Sequence, residues 1–144
     1  TGTNIHPEVK TVQIDYFSNN AVLVEPGLSQ TFTTDFRDLF DTQTNLTSVS
    51  SGGDLLFEGE ITGYKINTMS ATANQTAAQN RLTITVNVRF YNKYVPEDDF
   101  ERTFSHYYDY GANDQLVGSL QDEAFEEIIT RITQDIFNAS VAKW

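Results

Sequence analysis

Two acidic side chains stand at alternate positions of a segment that the sequence predicts to be a strand. Successive strand side chains point to opposite faces, so Glu58 and Glu60 would share one face, roughly 7 Å apart. Paired carboxylates can hydrolyse glycosides when they flank a cleft. They also form cross-strand ion pairs when Arg81, Arg89 or Lys65 lies on a neighbouring strand. The ion-pair interpretation is favoured, and the hydrolase hypothesis requires a pocket around the two carboxylates.

The other residue types that could do chemistry lack the spacing that a site needs. His6 and His106 are the two histidines, and no His-x-x-x-His pair occurs. The acidic turn at 97–99 has neither the alternating ligands nor the Gly of a calcium loop. The sequence contains no Cys, no Gly-x-Ser-x-Gly and no Gly-rich phosphate loop. We therefore predict a non-enzymatic protein without catalytic residues, metal ligands or cofactors.

The segment at 81–91 is the clearest strand of the chain. Its apolar and polar residues alternate, which predicts one buried and one hydrophilic face. The hydrophilic face would be solvated or would meet a partner. We expect a partner to contact this exposed face and the flexible hairpin loop at 70–80. The residues of the exposed face are Tyr64, Thr83, Thr85, Asn87, Arg89 and Tyr91.

Four more strands are predicted, at 9–17, 46–49, 54–68 and 100–110. In the first, Val12, Ile14 and Tyr16 would share the buried face. In the strand at 54–68, Gly59 and Gly63 fall on the same parity as the apolar residues. Gly within a strand often marks a bulge or the close approach of another element, and a helix packed across this face would use the space of the missing side chains.

Two segments have apolar residues at helical spacing. They predict helices at 28–42, where Ser29 could cap the amino end, and at 119–142. The order β-α-β-β-β-β-α predicts an α+β two-layer sandwich. Its sheet would have four to five strands, mixed or mostly antiparallel, with both helices on one face. We expect one domain over 1–144, with residues 1–8 as a loose lead-in.

The charge balance excludes some classes of partner. Nine Lys and Arg against twenty Asp and Glu give a net charge of −11, which repels nucleic acid and anionic lipid. No apolar run is long enough to predict a spanning helix. The sequence begins Thr1-Gly2-Thr3 without Met, as we expect if a signal peptide or lipid-anchoring segment has been removed.

The chain resembles the lipopolysaccharide-assembly outer-membrane lipoproteins (LptE-like), in particular their Bacteroidetes-type branch. The most specific combination is Asp54-x-x-Phe-x-Gly-x-Ile61 followed by Leu82-x-Ile-x-Val-x-Val88. The likeness covers nearly the whole chain and is carried by the segments 5–17, 28–32, 52–64, 76–90 and 100–104.

This resemblance implies two helices packed on a mixed four-stranded sheet and a lipoprotein that faces the periplasm. It implies a lipid anchor on a Cys upstream of this sequence, at the periplasmic side of the outer membrane. The implied role is to plug and assemble the outer-membrane β-barrel translocon that inserts lipopolysaccharide, with the barrel protein as partner. Some members bind lipopolysaccharide through basic residues near one end of the sheet.

The chain departs from the family pattern in its cations. No Lys or Arg lies between Tyr110 and Asp122, where a lipid-binding basic residue would be sought. The expectation is therefore a scaffold role inside the barrel, with lipopolysaccharide as the second candidate ligand. The candidate contacts for the partner or the lipid lie on the predicted strands: Tyr64, Arg81, Arg89, Tyr91, Arg102 and Tyr107.

An alternative hypothesis is a periplasmic or surface-exposed module that binds a sugar or glycolipid. It requires Tyr64, Tyr91 and Tyr107 to form one aromatic patch on the hydrophilic face, on which sugar rings could stack.

Overall fold

The computed structural model describes residues 4–21, 25, 27–69 and 78–142. In this part the chain forms six strands and two longer helices. The strands are β1 (Thr11–Ile14), β2 (Ser18–Asn19), β3 (Thr47–Val49), β4 (Leu55–Met69), β5 (Gln79–Asn92) and β6 (Phe100–Gly111). The helices are α1 (Leu28–Gln43) and α2 (Gly118–Ser140). Residues 70–77, most of the loop predicted as a contact, lie outside the described residues.

The strands form one mixed sheet in the order β3-β1-β4-β5-β6, with β2 also paired to β4. β1, β2 and β3 run parallel to their partners, whereas β4, β5 and β6 form an antiparallel meander. The predicted α+β class and element order are confirmed. The sheet has six strands rather than four to five because residues 18 and 19, interpreted as a turn, pair with Glu60 and Ile61.

Helix α1 is held by a row of phenylalanines rather than by its intrinsic propensity. Phe32, Phe36 and Phe40 recur at every fourth position, so they lie on one face, and all three are buried. The helix begins after Gly27, whose left-handed backbone ends the preceding segment. The prediction that Ser29 caps the helix is wrong. Ser29 lies inside the first turn and is buried.

Helix α2 packs beside α1 on the same face of the sheet. Ile128, Ile132 and Ile136 form its buried stripe. Its Phe137 ring lies 5.1 Å from the ring of Phe40, which joins the two helices through aromatic contact. The prediction that both helices occupy one face is confirmed, and the core lies between them and the meander.

The first strand ends earlier than predicted. Arg37 donates two hydrogen bonds to the Ile14 carbonyl, at 2.7 and 3.1 Å, and the Thr33 hydroxyl accepts the Phe17 N–H. These contacts with α1 end the regular alternation. Phe17 is therefore buried, and Tyr16 is 57% exposed, so its predicted place on the buried face is wrong.

A β-bulge divides β4 into two halves. The pairing with β5 shifts between Ile61 and Gly63, leaving Thr62 as an extra residue. Gly59 faces the core as predicted, but the Phe17 ring, not a helix, fills the space beside it. Gly63 lies beyond the bulge and faces the opposite side, against Thr85, so the parity predicted for it is wrong.

Residues 4–8 form no helix or strand, yet they are attached to the core. Asn4 donates a backbone hydrogen bond to Val141, and Ile5 packs against the core. The His6 ring stacks on Tyr94 at 5.7 Å. This part of the predicted loose lead-in is therefore attached to Val141 after α2 and to Tyr94 after β5.

Candidate functional site

The sheet face opposite the helices, here called the open face, is the surface on which most candidate residues meet. The register of the meander determines which side chains lie side by side on this face, because each residue of β5 from Gln79 to Phe90 has one partner on β4 and one on β6. Its members are Glu58, Glu60, Lys65, Arg81, Thr83, Thr85, Asn87, Arg89, Tyr91, Glu101, Thr103, Ser105, Tyr107 and Asp109.

Arg89 lies at the centre of a carboxylate cluster on the open face. Its guanidinium makes two contacts of 3.1 Å with Glu60 and lies 3.6 Å from Glu58 and 3.7 Å from Glu101. The Asn87 amide donates to Glu60 and Glu101 and joins the same network. One cation is thus shared by three carboxylates, so the cluster cannot offer positive charge to a phosphate.

The geometry supports the ion-pair interpretation of the two glutamates over the hydrolase hypothesis. The hydrogen bond from Arg89 lowers the pKa of Glu60, with a smaller contribution from Asn87 and against the effect of burial. A glycosidase acid needs a raised pKa in order to hold its proton. Glu60 is therefore unsuited to that role, and Glu58 lies beside the same guanidinium.

Acid should weaken this cluster through Glu60. Because its pKa is lower in the folded chain than its ordinary 4.5, the contribution to stability is present above that value and lost as the pH falls through the folded pKa. Glu60→Gln should lower the free energy of unfolding by about 1 kcal/mol at neutral pH, and less in acid. Urea unfolding of both chains between neutral and acid pH measures this. A difference that stays constant with pH would contradict it.

Arg81 is the second cation of the open face, and it also has a carboxylate. It donates two hydrogen bonds to Asp109 at 2.8 and 3.0 Å, and this pairing raises the pKa of Arg81. Its guanidinium also lies 3.9 Å from the centre of the Tyr107 ring, a cation–π contact. Tyr107, half exposed, thus covers one side of the ion pair.

Sequence reasoning did not identify Glu101 and Asp109 as partners. A signal was present, because Arg81 and Arg89 are separated by the same number of residues as Glu101 and Asp109. In an antiparallel strand pair, this equal spacing allows a single register to place each arginine opposite a carboxylate. The structure has that register, with Arg81 opposite Asp109 and Arg89 opposite Glu101.

Two of the six predicted contact residues do not lie on the open face. Arg102 pairs with Val88, so it lies on the helix-bearing side, over the Phe100 ring at 4.7 Å and the Phe104 ring at 5.9 Å. Tyr64 is only 8% exposed and meets Phe125 of α2 edge to face. The bulge at Thr62 turned Tyr64 inward, so its prediction as an exposed contact is wrong.

The aromatic patch required for sugar stacking does not form. Tyr64 is buried, and burial raises its pKa to about 12. Tyr91 and Tyr107 are exposed, but Tyr107 lies opposite Thr83 at the other end of β5. The strand rise places Thr83 and Tyr91 roughly 27 Å apart. The remaining two rings therefore cannot hold one sugar between them.

The two histidines have local partners. His6 stacks on Tyr94, and its ring nitrogen accepts the Glu8 N–H. His106 lies 2.7 Å from Asp135 of α2, which links β6 to that helix. Across residues 4–21, 25, 27–69 and 78–142, no three His, Asp or Glu side chains are grouped to hold a metal ion.

One family profile spans both helices and all six strands. The LptE lipopolysaccharide-assembly profile matches residues 9–140. The chain belongs to the LptE family. The predicted resemblance is confirmed, and a role in lipopolysaccharide assembly holds at the level of the family. Among curated proteins, none matches the sequence.

Solved structures share the fold of this LptE family member at low identity. A hypothetical protein from Chlamydia trachomatis has a TM-score of 0.61 and 9% identity, covering 94% of this chain and 99% of its own. A protein from Xanthomonas campestris has a TM-score of 0.60 and 13% identity, with coverage of 94% and 88%. Lipoprotein B from Nitrosomonas europaea has a TM-score of 0.52 and 13% identity, with coverage of 95% and 88%. In the described part of the chain, neither helix has the length and apolar content to cross a membrane.

Proposed function

We propose that the chain is a non-catalytic accessory protein of the lipopolysaccharide translocon. It plugs and assembles the outer-membrane β-barrel of that machine and assists the insertion of lipopolysaccharide into the outer membrane. Membership of the LptE family supports a role in lipopolysaccharide assembly, and the composition of the open face supports contact with the inside of the barrel. This face carries hydroxyls and internally paired charges.

The composition of the open face suits the inside of a large barrel. The lumen of such barrels is polar, whereas their outer surface is apolar. Thr83, Thr85, Thr103 and Ser105 form a row of hydroxyls between the Arg81 and Arg89 clusters. Because the arginines on either side are already paired with carboxylates, this middle region can lie against a polar wall without burying an unpaired cation.

The candidate contacts of the proposed surface are revised accordingly. Tyr91 and Tyr107 remain, since both project from the open face and are 41% and 50% exposed. Arg81 and Arg89 act as polar contacts within their clusters rather than as phosphate ligands. We therefore propose that lipopolysaccharide is handled together with the barrel and not by a basic site on this face.

The proposed location is the periplasmic side of the outer membrane. The family likeness also implies attachment through a lipid on an upstream Cys, and we include that anchor in the proposal. Fractionation of cells that express the protein from its natural gene, followed by mass spectrometry of its amino terminus, tests both points. An unlipidated protein in the soluble fraction would contradict them.

A lysine at the centre of the open face should weaken attachment to the barrel. Thr85 lies between Gly63 and Ser105, so Thr85→Lys adds a long unpaired cation where the proposed contact is closest. We expect recovery of the barrel protein in a pull-down to fall by about tenfold, because a contact with an unpaired charge is disfavoured. Recovery is measured by quantitative mass spectrometry of outer-membrane extract.

The matched control is Thr34→Lys, the same change at an exposed position of α1. It should leave the recovery of the barrel unchanged. Circular dichroism and thermal unfolding show whether both variants keep the fold. Equal recovery from Thr85→Lys and from the unaltered protein would remove the open face from the proposal. Failure of the unaltered protein to recover any outer-membrane barrel would remove the translocon role.

A further inference from the structure

The outer edge of β6 offers a second surface, which borders the open face and shares Tyr107 and Asp109 with it. Across the described residues, β5 is the one strand that pairs with β6. The two strands stay in register from Phe100 to Gly111 without a bulge. β6 contains no Pro and no Lys, which are common means of protecting an edge strand from unwanted pairing.

The register shows which backbone groups point away from the sheet. Ala112 donates its N–H to Ala78, which continues the β5–β6 ladder by one pair. Hydrogen-bonded pairs alternate along an antiparallel ladder, so the even-numbered residues of β6 bond to β5. The N–H and C=O groups of the odd-numbered residues therefore point outward: Glu101, Thr103, Ser105, Tyr107 and Asp109. They form a row of donors and acceptors that an incoming strand can pair with.

A groove runs beside this edge, between β6 and α2. It encloses about 560 Å³ and is lined by His106, Tyr107, Tyr108, Asp109, Glu127 and Arg131. Glu123, Glu127, Arg131 and Asp135 recur at every fourth position of α2, so they line one side of the helix. Tyr108 donates to Glu123, and His106 contacts Asp135, which places this stripe alongside the edge strand.

The walls of the groove carry more negative than positive charge. Its lining has the carboxylates Asp109 and Glu127, which pair with Arg81 and Arg131. The α2 stripe beside it adds two further carboxylates, Glu123 and Asp135. The whole chain adds a net charge of −11. An incoming strand that places basic side chains toward α2 would therefore be attracted, and an acidic strand would be repelled.

We propose that the outer edge of β6 binds an extended, basic segment of a partner protein by strand addition. The partner's backbone pairs with the outward groups of β6, and its basic side chains point into the groove beside α2. The occupant is a cationic strand rather than a second copy of this chain, because two chains of the same strong negative charge repel each other. The proposal does not require the translocon barrel, so the two can fail separately.

The test uses a substitution that blocks the edge without breaking the sheet. In Ser105→Pro, the lost N–H is one that points outward, so the ladder to β5 keeps its hydrogen bonds. The probe is a fluorescent peptide of about ten residues, a common strand length, that alternates Lys and Val. We expect the unaltered protein to bind it in an anisotropy titration, and Ser105→Pro to bind about tenfold more weakly.

Three controls separate strand pairing from general attraction between opposite charges. Ser105→Ala should bind like the unaltered protein, because it keeps the backbone N–H. A peptide of the same charge with Pro at every third position should bind about tenfold more weakly than the strand-forming peptide, since Pro removes donors. Arg131→Glu, which removes a cation from the groove, should bind the Lys–Val peptide more tightly.

Amide hydrogen exchange locates the contact. Binding should slow exchange at the odd-numbered residues of β6, whereas the even-numbered ones are already protected by β5. The proposal is overturned if Ser105→Pro binds as well as Ser105→Ala, if exchange changes elsewhere instead, or if the unaltered protein does not bind the peptide. It is also overturned if the chain dimerises in sedimentation and Ser105→Pro abolishes the dimer, which would assign the edge to a second copy.

Discussion

Replacing Phe57 with Ala is expected to lower the free energy of unfolding by about 3–5 kcal/mol. Phe57 has no solvent exposure and lies where α1 packs against the sheet. Its ring is 5.1 Å from Phe36, 5.1 Å from Phe40 and 4.7 Å from Phe90. Removing the ring leaves a cavity that these rigid neighbours can fill only in part, so both burial and aromatic contacts are lost.

Chemical denaturation monitored by circular dichroism measures this loss. The matched control is Tyr91→Ala, which also removes an aromatic side chain but on the open face, where Tyr91 is 41% exposed. That change should cost no more than about 1 kcal/mol. Equal losses in the two variants would show that the aromatic cluster is not the centre of the core.

A methyl group at Gly59 is the second change with a large expected effect. A Cβ there would lie 2.0 Å from the carbonyl oxygen of Asn87 and 2.8 Å from the Phe17 ring. The first contact is with the backbone of the neighbouring strand, which cannot move without disturbing the β4–β5 ladder. Gly59→Ala should therefore destabilise the chain by about 2–4 kcal/mol, at the upper end of the range for overpacked positions.

Gly63→Ala is the control for this substitution, because Gly63 lies on the same strand beyond the bulge. Its Cβ would lie 3.0 Å from the Thr85 Cβ, a tight contact that a shift of a few tenths of an ångström relieves. We expect a loss of about 1 kcal/mol or less. If Gly63→Ala cost as much as Gly59→Ala, the close approach of Phe17 and Asn87 would not explain the glycine at 59.

Elements with a long, regular hydrophobic pattern were predictable from the sequence. The alternation at 81–91 predicts β5, and the helical stripes predict α1 and α2 to within two residues at each end. Each of these elements is stabilised by burying one regular apolar face, so the local periodicity of the sequence is sufficient to predict it. The element order then restricts the architecture to a sheet with helices on one face.

The errors arose where tertiary contacts interrupt the alternation. Tyr16 faces solvent because Arg37 and Thr33 of α1 bind the backbone on either side of it. Tyr64 is buried because one extra residue at Thr62 reverses the parity of the strand. Neither event leaves a periodic signal, since Thr is common in regular strands. A bulge depends on the partner strand, which the local sequence does not contain.

The location of the candidate site was predictable from the sequence, but the pairing of its charged residues was not. The open face was expected from the polar positions of β5, and Arg89 does pair with Glu58 and Glu60. The pairing of Arg81 with Asp109 depends on the register of β5 with β6. Both arginines predicted to hold a lipid or partner are therefore paired with carboxylates, and the Arg89 cluster is net negative, with one cation and three carboxylates.

The extra residue at Thr62 has a consequence for changes in the length of this chain. Deleting Thr62 would join Ile61 directly to Gly63, so the pairs Ile61–Val86 and Gly63–Thr85 would follow one another in a regular ladder, with Tyr64 still facing inward and Lys65 outward. Both faces of the hairpin would keep their residues, so a single-codon deletion would be less disruptive at Thr62 than elsewhere in β4.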